Sequence, residues 1–346
     1  MLKNSLLTVS LLCATAAWAD VDVTSVYLRQ EVEAPPTLSN LDPVPEDLGL
    51  AGAEVGLKDN QTTGRFLGQN HTLEVISVAP GGDWEAAVAE ALSVGGLLIL
   101  DAPAEQVRAA VTLTADSDAL LFNVAAPERD LREGACAPNL LHTLPSTAME
   151  TDALAQFFVK RRWTDLVMIV GTHPGDAAYA DALRRSAEKF GLRIRGEKTW
   201  AFAADMRRNA AQEVPVFTQD FRDHHAMVVV DTIDDFGRYI AYNTWEPRPV
   251  AGTDGLTAVA WAPVVEQWGA AQLQSRFEDA AERPMRPRDY AAWAALRTIG
   301  EAVTRTGSSD PATLRGDILS DTFELAGFKG RPMTYRTWNG QLRQPI

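Results

Sequence analysis

The sequence predicts an α/β protein built on parallel sheets, and three observations carry that reading. Short apolar runs such as Gly96–Leu100 and Leu166–Val170 alternate with amphipathic stretches almost throughout. Such continuous runs suit strands covered by helices on both faces. The chain of 346 residues is also long enough for two domains of ordinary size.

Taken in order, residues 21–28 read as a first strand, followed by a proline-rich loop over 33–45. Asp47–Asn60 reads as a helix with Leu48, Ala51 and Val55 on one face. Thr72–Val78 is a strand, Asp83–Leu92 a helix, Gly96–Leu100 a strand, 104–112 a helix and Ala119–Val124 a strand. A loop then runs through Pro138. A second series follows: helix Thr147–Arg162, strand Leu166–Val170, helix Asp176–Phe190, strands Leu192–Trp200 and Ala226–Asp231, and a short helix from Asp234. Helices are expected at 263–281, at 289–305 with Asp289 as N-cap, and at 310–319. β-rich pieces such as 331–338 end the chain. No internal repeat and no low-complexity segment is visible.

The N-terminus reads as an export signal over 1–19. Lys3 supplies the positive charge, Leu6–Ala16 an apolar run too short to span a bilayer, and Ala17-Trp18-Ala19 a small-x-small cleavage pattern. A lipid anchor on Cys13 is the weaker reading, because Leu12 stands where a small residue is expected. Removing the signal leaves Cys136 alone, so no intramolecular disulfide can form. It also leaves 31 basic against 46 acidic residues, a net charge of −15. That argues against nucleic acid and anionic membrane surfaces as partners.

Enzyme signatures are missing. There is no G-x-x-x-x-G-K-[ST], no G-x-S-x-G and no H-E-x-x-H. Ser186-x-x-Lys189 falls inside a charged amphipathic helix and reads as structural. Adjacent His224 and His225 point to opposite faces of an extended chain, so they do not ligate one metal together. The candidate site is the carboxyl ends of the strands, where open parallel sheets place ligands. Tyr27 and Arg29 end the first strand and Asp101 the third. Ala125-Ala126 follows Asn123, Thr172 and His173 follow Leu166–Val170, with Tyr179 in the next helix, and Asp231 stands at the carboxyl end of the strand from Ala226. A helix cap is the plainer role for one of Asp231, Asp234 and Asp235. No nucleophile, base or metal set stands out, so binding without catalysis is the reading.

The segment Tyr242–Phe277 holds Trp245, Trp261 and Trp268. Trp268 has Val264 and Val265 four and three residues before it and reads as a core residue of an amphipathic helix. Trp261, taken to end a strand near the hinge, and Trp245 are the candidates for stacking on a flat ligand. Lysine is scarce, with five in the mature chain; Lys160 reads as a surface residue.

These residues resemble the type I periplasmic binding proteins of the leucine/isoleucine/valine-binding kind, which serve ABC transporters. Gly52–Asn60 resembles the helix after the family's first strand, and the following TTGRFLGQNHTLEV its glycine-bearing turn. Residues 173–194 resemble its tyrosine-bearing helix, and 289–303 its late helix, with Trp293 where a tyrosine is usual. The resemblance implies two Rossmann-like lobes with parallel central sheets, joined by a three-strand hinge. It places 20–141 plus 262–322 in one lobe and 142–261 plus 323–346 in the other. It also implies a periplasmic monomer that binds a small solute in the cleft and docks on an inner-membrane ABC permease. Residues 136–146, 242–256 and 268–278 resemble a subgroup associated with pyrroloquinoline quinone (PQQ)-dependent alcohol dehydrogenase systems. That implies PQQ or a related aromatic acid as a bound ligand, no catalytic cofactor, and a dehydrogenase as a further partner. Arg29 is then a candidate carboxylate donor. The open alternatives are a receptor for amino acids or other solutes, and a sensor or accessory protein of the dehydrogenase. Two departures speak against simple leucine binding: Ala125-Ala126-Pro127 stands where amino-acid binders carry a hydroxyl residue, and Asp101 where a small polar residue is expected.

Overall fold

The computed structural model describes residues 20–33, 43–134, 136–201 and 206–346. The export signal read at 1–19 lies outside them, as does most of the proline-rich loop. The first series comprises β1 (Val21–Gln30), α1 (Leu50–Leu67), β2 (Gln69–Val78), α2 (Trp84–Val94), β3 (Leu97–Asp101), α3 (Ala104–Leu113), β4 (Leu120–Asn123), α4 (Asp130–Glu133) and β5 (Leu140–His142). Its strands form one parallel sheet in the order β2-β1-β3-β4-β5. The second comprises α5 (Thr147–Arg161), β6 (Asp165–Val170), α6 (Pro174–Phe190), β7 (Arg193–Thr199), α7 (Met206–Thr218), β8 (Ala226–Val230) and β9 (Val250–Gly252), with parallel order β7-β6-β8-β9. Then come α8 (Ala270–Ala281), α9 (Pro287–Thr306), α10 (Pro311–Ile318) and a small antiparallel pair, β10 (Thr334–Tyr335) with β11 (Leu342–Arg343).

Alternation along the strands divides each lobe into two core layers. Val23, Tyr27, Leu97 and Ile99 face α1, α8 and α9, whereas Val26, Leu28, Leu98 and Leu100 face α2 and α3. In the second lobe Leu166, Met168 and Val170 pack on α5 and α6, and Val167 and Ile169 on the opposite layer. Strands buried on both faces cannot show polar alternation, which is why β3 and β8 read as continuous apolar runs. Helix α1 crosses α9 so closely that a Cβ on Gly52 would overlap the Asp289 backbone.

Several boundaries differ from the sequence reading. Helix α1 runs on to Leu67, and the turn into β2 is the left-handed Gly68 alone. Helix α7 and strand β5 lie in stretches read as irregular; β5 is three residues long and α7 carries an internal Pro215. Helix α9 starts at Pro287. Asp289 is its third residue yet still does the capping, accepting from the Arg286 N–H at 2.9 Å. The largest difference lies at 263–281. Trp268 and Gly269 both have positive φ (56° and 81°), which stops any helix there, so α8 begins only at Ala270. Trp268 is 61% exposed and is no core residue.

At its end the chain departs from the expected division into lobes. Residues 143–146 leave the first sheet alongside 341–344: His142 bridges to Gln341, the Gln341 amide donates to the Leu144 carbonyl, and the Gln344 amide to that of Thr143. Phe323, Leu325, Met333, Tyr335 and Leu342 belong to the same core as β1 and α9. Residues 323–342 therefore pack on the first lobe rather than the second.

Candidate functional site

Because β6, β7 and β8 are parallel, their carboxyl ends open on one edge of the second sheet. Gly171, Thr172 and His173 leave β6, Trp200 leaves β7 and Asp231 leaves β8. Together with Asp176, Ile233, Asp235 and Phe236 they line a hollow of about 450 Å³. The local sequence dictates this shape. His173 is the N-cap of α6: its Nδ1 accepts from the Gly175 N–H at 3.2 Å, Pro174 sits in the first turn, and Asp176 accepts from the His173 N–H at 2.9 Å. The buried Asp176 also accepts from the Thr232 N–H (2.7 Å) and hydroxyl (2.6 Å), tying the β8 exit to α6. One oxygen of Asp231 accepts from the Phe236 and Gly237 N–H groups, both at 2.7 Å. Asp231 is thus the cap of the following turn as well as part of the lining. Trp200 and Phe236 stack at 5.4 Å with an angle of 11° and form an aromatic wall.

The lining is acidic. Among the described residues it contains Asp176, Asp231 and Asp235 and no lysine or arginine. Burial, followed by repulsion from Asp231 and Asp176, raises the Asp235 carboxyl above the ordinary range. Nearby Asp254 is pushed up to about 6 by burial and by Asp231. One oxygen each from Asp231, Asp234 and Asp254 lies within 4.8 Å of the others, an arrangement a hard cation could use. Arg238 already pairs with Asp234 and supplies positive charge there.

Not all the sequence-derived candidates meet in this hollow. His173 and Asp231 do. Tyr179 is buried in the second-lobe core, with its phenol raised by burial and then by Glu150. In the first lobe Tyr27 is fully buried and donates to Asp101 at 2.8 Å. Asp101 is also buried and faces Arg29 at 3.8 Å and Arg288 at 3.4 Å. Arg29 donates to the Glu46 carbonyl at 2.6 Å, and the Gly49 N–H to Asp289 at 2.7 Å. Tyr27, Arg29 and Asp101 therefore fasten the entry to α1, which corrects their reading as open ligand donors. Ala125 and Ala126 both donate their N–H groups to the Asn123 side chain, at 3.2 and 2.8 Å. Asn123, unmarked in the sequence reading, shapes that loop and also contacts His142 Nδ1 at 3.0 Å.

The two tryptophans chosen for stacking are corrected as well. Trp261 is 4% exposed, stacks on Tyr290 at 4.9 Å and donates its indole N–H to Gln274 at 3.0 Å. It follows irregular chain rather than a strand, and it is a packing residue. Trp245 is 61% exposed, and its backbone N–H donates to the Thr218 hydroxyl. It precedes β9, so it stands at the amino edge of the second sheet, opposite the hollow. Trp200 and Phe236 form the aromatic wall instead. The signal for Trp200 was its place at the carboxyl end of the strand read over Leu192–Trp200, the cue that marked His173 and Asp231. The bland readings hold elsewhere: Ser186 bonds Thr151 and Asp152 between two helices, and His224 and His225 bond separate backbone groups.

Two parallel-sheet lobes with ligand-sized space at the strand ends are an arrangement suited to binding a small solute. A family model described as periplasmic binding protein matches residues 46–231, more than half of the chain. The chain belongs to that family, non-catalytic receptors of the periplasm, and has its type I architecture. Among solved structures, a putative branched-chain amino acid ABC transporter protein from Rhodospirillum rubrum is 14% identical, with TM-score 0.69 and coverage of 94% of this chain and 95% of that one. A leucine-, isoleucine-, valine-, threonine- and alanine-binding protein from Brucella ovis, in a closed conformation, is 13% identical with TM-score 0.69, over 92% and 87%. A solute binding protein of an ABC transporter from R. palustris, in complex with benzoate, is 14% identical with TM-score 0.66, over 94% and 91%. At these identities the likeness speaks for the fold. No curated protein matches the chain.

Proposed function

We propose that this protein is the periplasmic substrate-binding component of an ABC transporter, and that its ligand is a small solute carrying a cationic nitrogen, such as an amino acid or amine. The observation that carries the ligand class is the hollow at the second sheet's carboxyl edge, with three carboxylates in its lining and, among the described residues, no lysine or arginine. An ammonium group gains there what an anion would lose. Thr172 and His173 are exposed polar groups at the rim, and Trp200 with Phe236 offers an apolar wall for the ligand's body. The names of similar structures, which include leucine-type amino acids and benzoate, support a small-solute receptor. Closure of the lobes would complete the site from the first lobe and present the closed form to an inner-membrane permease.

A second reading keeps PQQ or a related aromatic acid as ligand, in a system with a PQQ-dependent dehydrogenase. The stacked Trp200–Phe236 pair favours it, since a flat ring system needs such a face. The acidic lining opposes it, because a tricarboxylate requires cationic donors. Titration of ligand-free protein with leucine, a simple amine and PQQ, followed by tryptophan fluorescence and Tm, separates the readings. Saturable response to PQQ with none to amines or amino acids would overturn the first.

A further inference from the structure

The opposite charge pattern occurs on the first lobe, around the exposed Trp268. The loop Ala326–Pro332 lies against this indole: a Cβ on Gly330 would sit 2.6–2.7 Å from three of its atoms. Between them is a hollow of about 490 Å³, lined by Trp268, Glu324, Phe328, Lys329 and Arg331 among others. Three features separate it from ordinary surface. Trp268 and Phe328 both hold left-handed backbone (φ 56° each), a conformation bulky residues rarely keep without a reason. Lys329 is drawn down over aromatic faces, its ammonium 4.7 Å from the Tyr290 ring centre and 6.0 Å from that of Trp261. Its one hydrogen bond is to the Pro345 carbonyl at 3.2 Å, and among the described residues neither it nor Arg331 has a carboxylate partner. Burial lowers the Lys329 pKa to about 8, which leaves it mostly charged at neutral pH.

We propose that this hollow is a second binding site, for a small aromatic carboxylate. The exposed indole of Trp268 provides the stacking face, Arg331 the planar fork that matches a carboxylate, and Lys329 a second positive charge. Among the described residues Glu324 contributes the only negative charge in the lining, so two cations face one anion in a protein whose net charge is −14. The site is separate from the acidic hollow of the second lobe, and binding here does not depend on which solute that hollow takes.

The test is a titration with benzene-1,3-dicarboxylate, followed through the indole N–H signals of Trp268 and Trp200 in ¹⁵N-labelled protein, assigned with single Trp→Phe variants. The Trp268 signal should move saturably while that of Trp200 stays in place. Lys329→Gln and Arg331→Gln should each weaken binding by about tenfold or more. Arg331 is exposed, so its variant should keep the parent Tm and report on binding alone. The proposal is overturned if the Trp268 signal does not saturate up to the solubility of the probe. It is equally overturned if Arg331→Gln, folded as the parent, binds unchanged, or if the probe moves Trp200 and leaves Trp268 still.

Discussion

The two hollows of this protein are similar in size and opposite in chemistry. That of the second lobe is cut into the carboxyl edge of a parallel sheet, and its carboxylates are held by backbone N–H groups: Asp231 by Phe236 and Gly237, Asp176 by His173 and Thr232. That of the first lobe is formed by two irregular segments meeting over a buried aromatic stack of Trp261, Tyr290 and Trp293. The difference contrasts two ways in which one scaffold forms a hollow. Strand ends place side chains with the precision of the sheet, whereas loops depend on what lies beneath them.

Substitutions can break this comparison at points of decreasing size. Trp261→Ala removes the floor under the first-lobe hollow and should cost about 3–5 kcal/mol of stability by denaturant unfolding. Trp268→Ala, at the surface above it, should change stability by no more than about 0.5 kcal/mol. Equal effects would show that the loop, not the core, supports the fold there. Asp231→Ala should cost about 2 kcal/mol, because two buried N–H groups lose their acceptor. Asp235→Asn should leave Tm nearly unchanged but weaken binding of an ammonium solute by about tenfold, measured calorimetrically.

Asp254 gives an effect with a definite pH signature. Its carboxyl is held at about 6, above the value of about 3.9 expected in the unfolded chain. The folded form therefore binds more protons through that interval, and stability falls as pH rises from about 4 to about 6. Asp254→Asn should raise Tm above pH 6, with the gain vanishing below about pH 4. A gain that persists at low pH would mean the effect is steric. Smallest of all, Trp245→Ala should alter neither solute affinity nor, beyond about 0.5 kcal/mol, stability.

How much of this was legible in the sequence followed from how local each signal was. Buried strands such as Leu166–Val170 and Ala226–Asp231 read as apolar runs, and the strand-end rule picked out His173 and Asp231, which line one hollow. The same rule failed for Tyr27, Arg29 and Asp101 because their partners, Glu46, Gly49 and Arg288, come from distant chain. Spacing could not show that these strand ends are covered. Tryptophan roles were inverted for a similar reason. Trp268 fits a helical period, but the positive φ at 268 and 269 ends the helix before it forms. Trp261 is buried by Tyr290 and Gln274, contacts no local pattern predicts. The terminal strands pack on the first lobe through Phe323, Leu325 and Leu342, again a tertiary choice.

The central claim is that the second-lobe hollow selects a solute for its positive charge. Calorimetric titration of the ligand-free protein with leucine and with its deaminated analogue, 4-methylpentanoate, at one pH and ionic strength, tests it most directly. The account predicts saturable binding of leucine, or failing that of a larger ammonium solute in the same series, with each deaminated analogue bound at least about tenfold more weakly. Tighter binding of the deaminated acids, unaffected by Asp235→Asn, would contradict it.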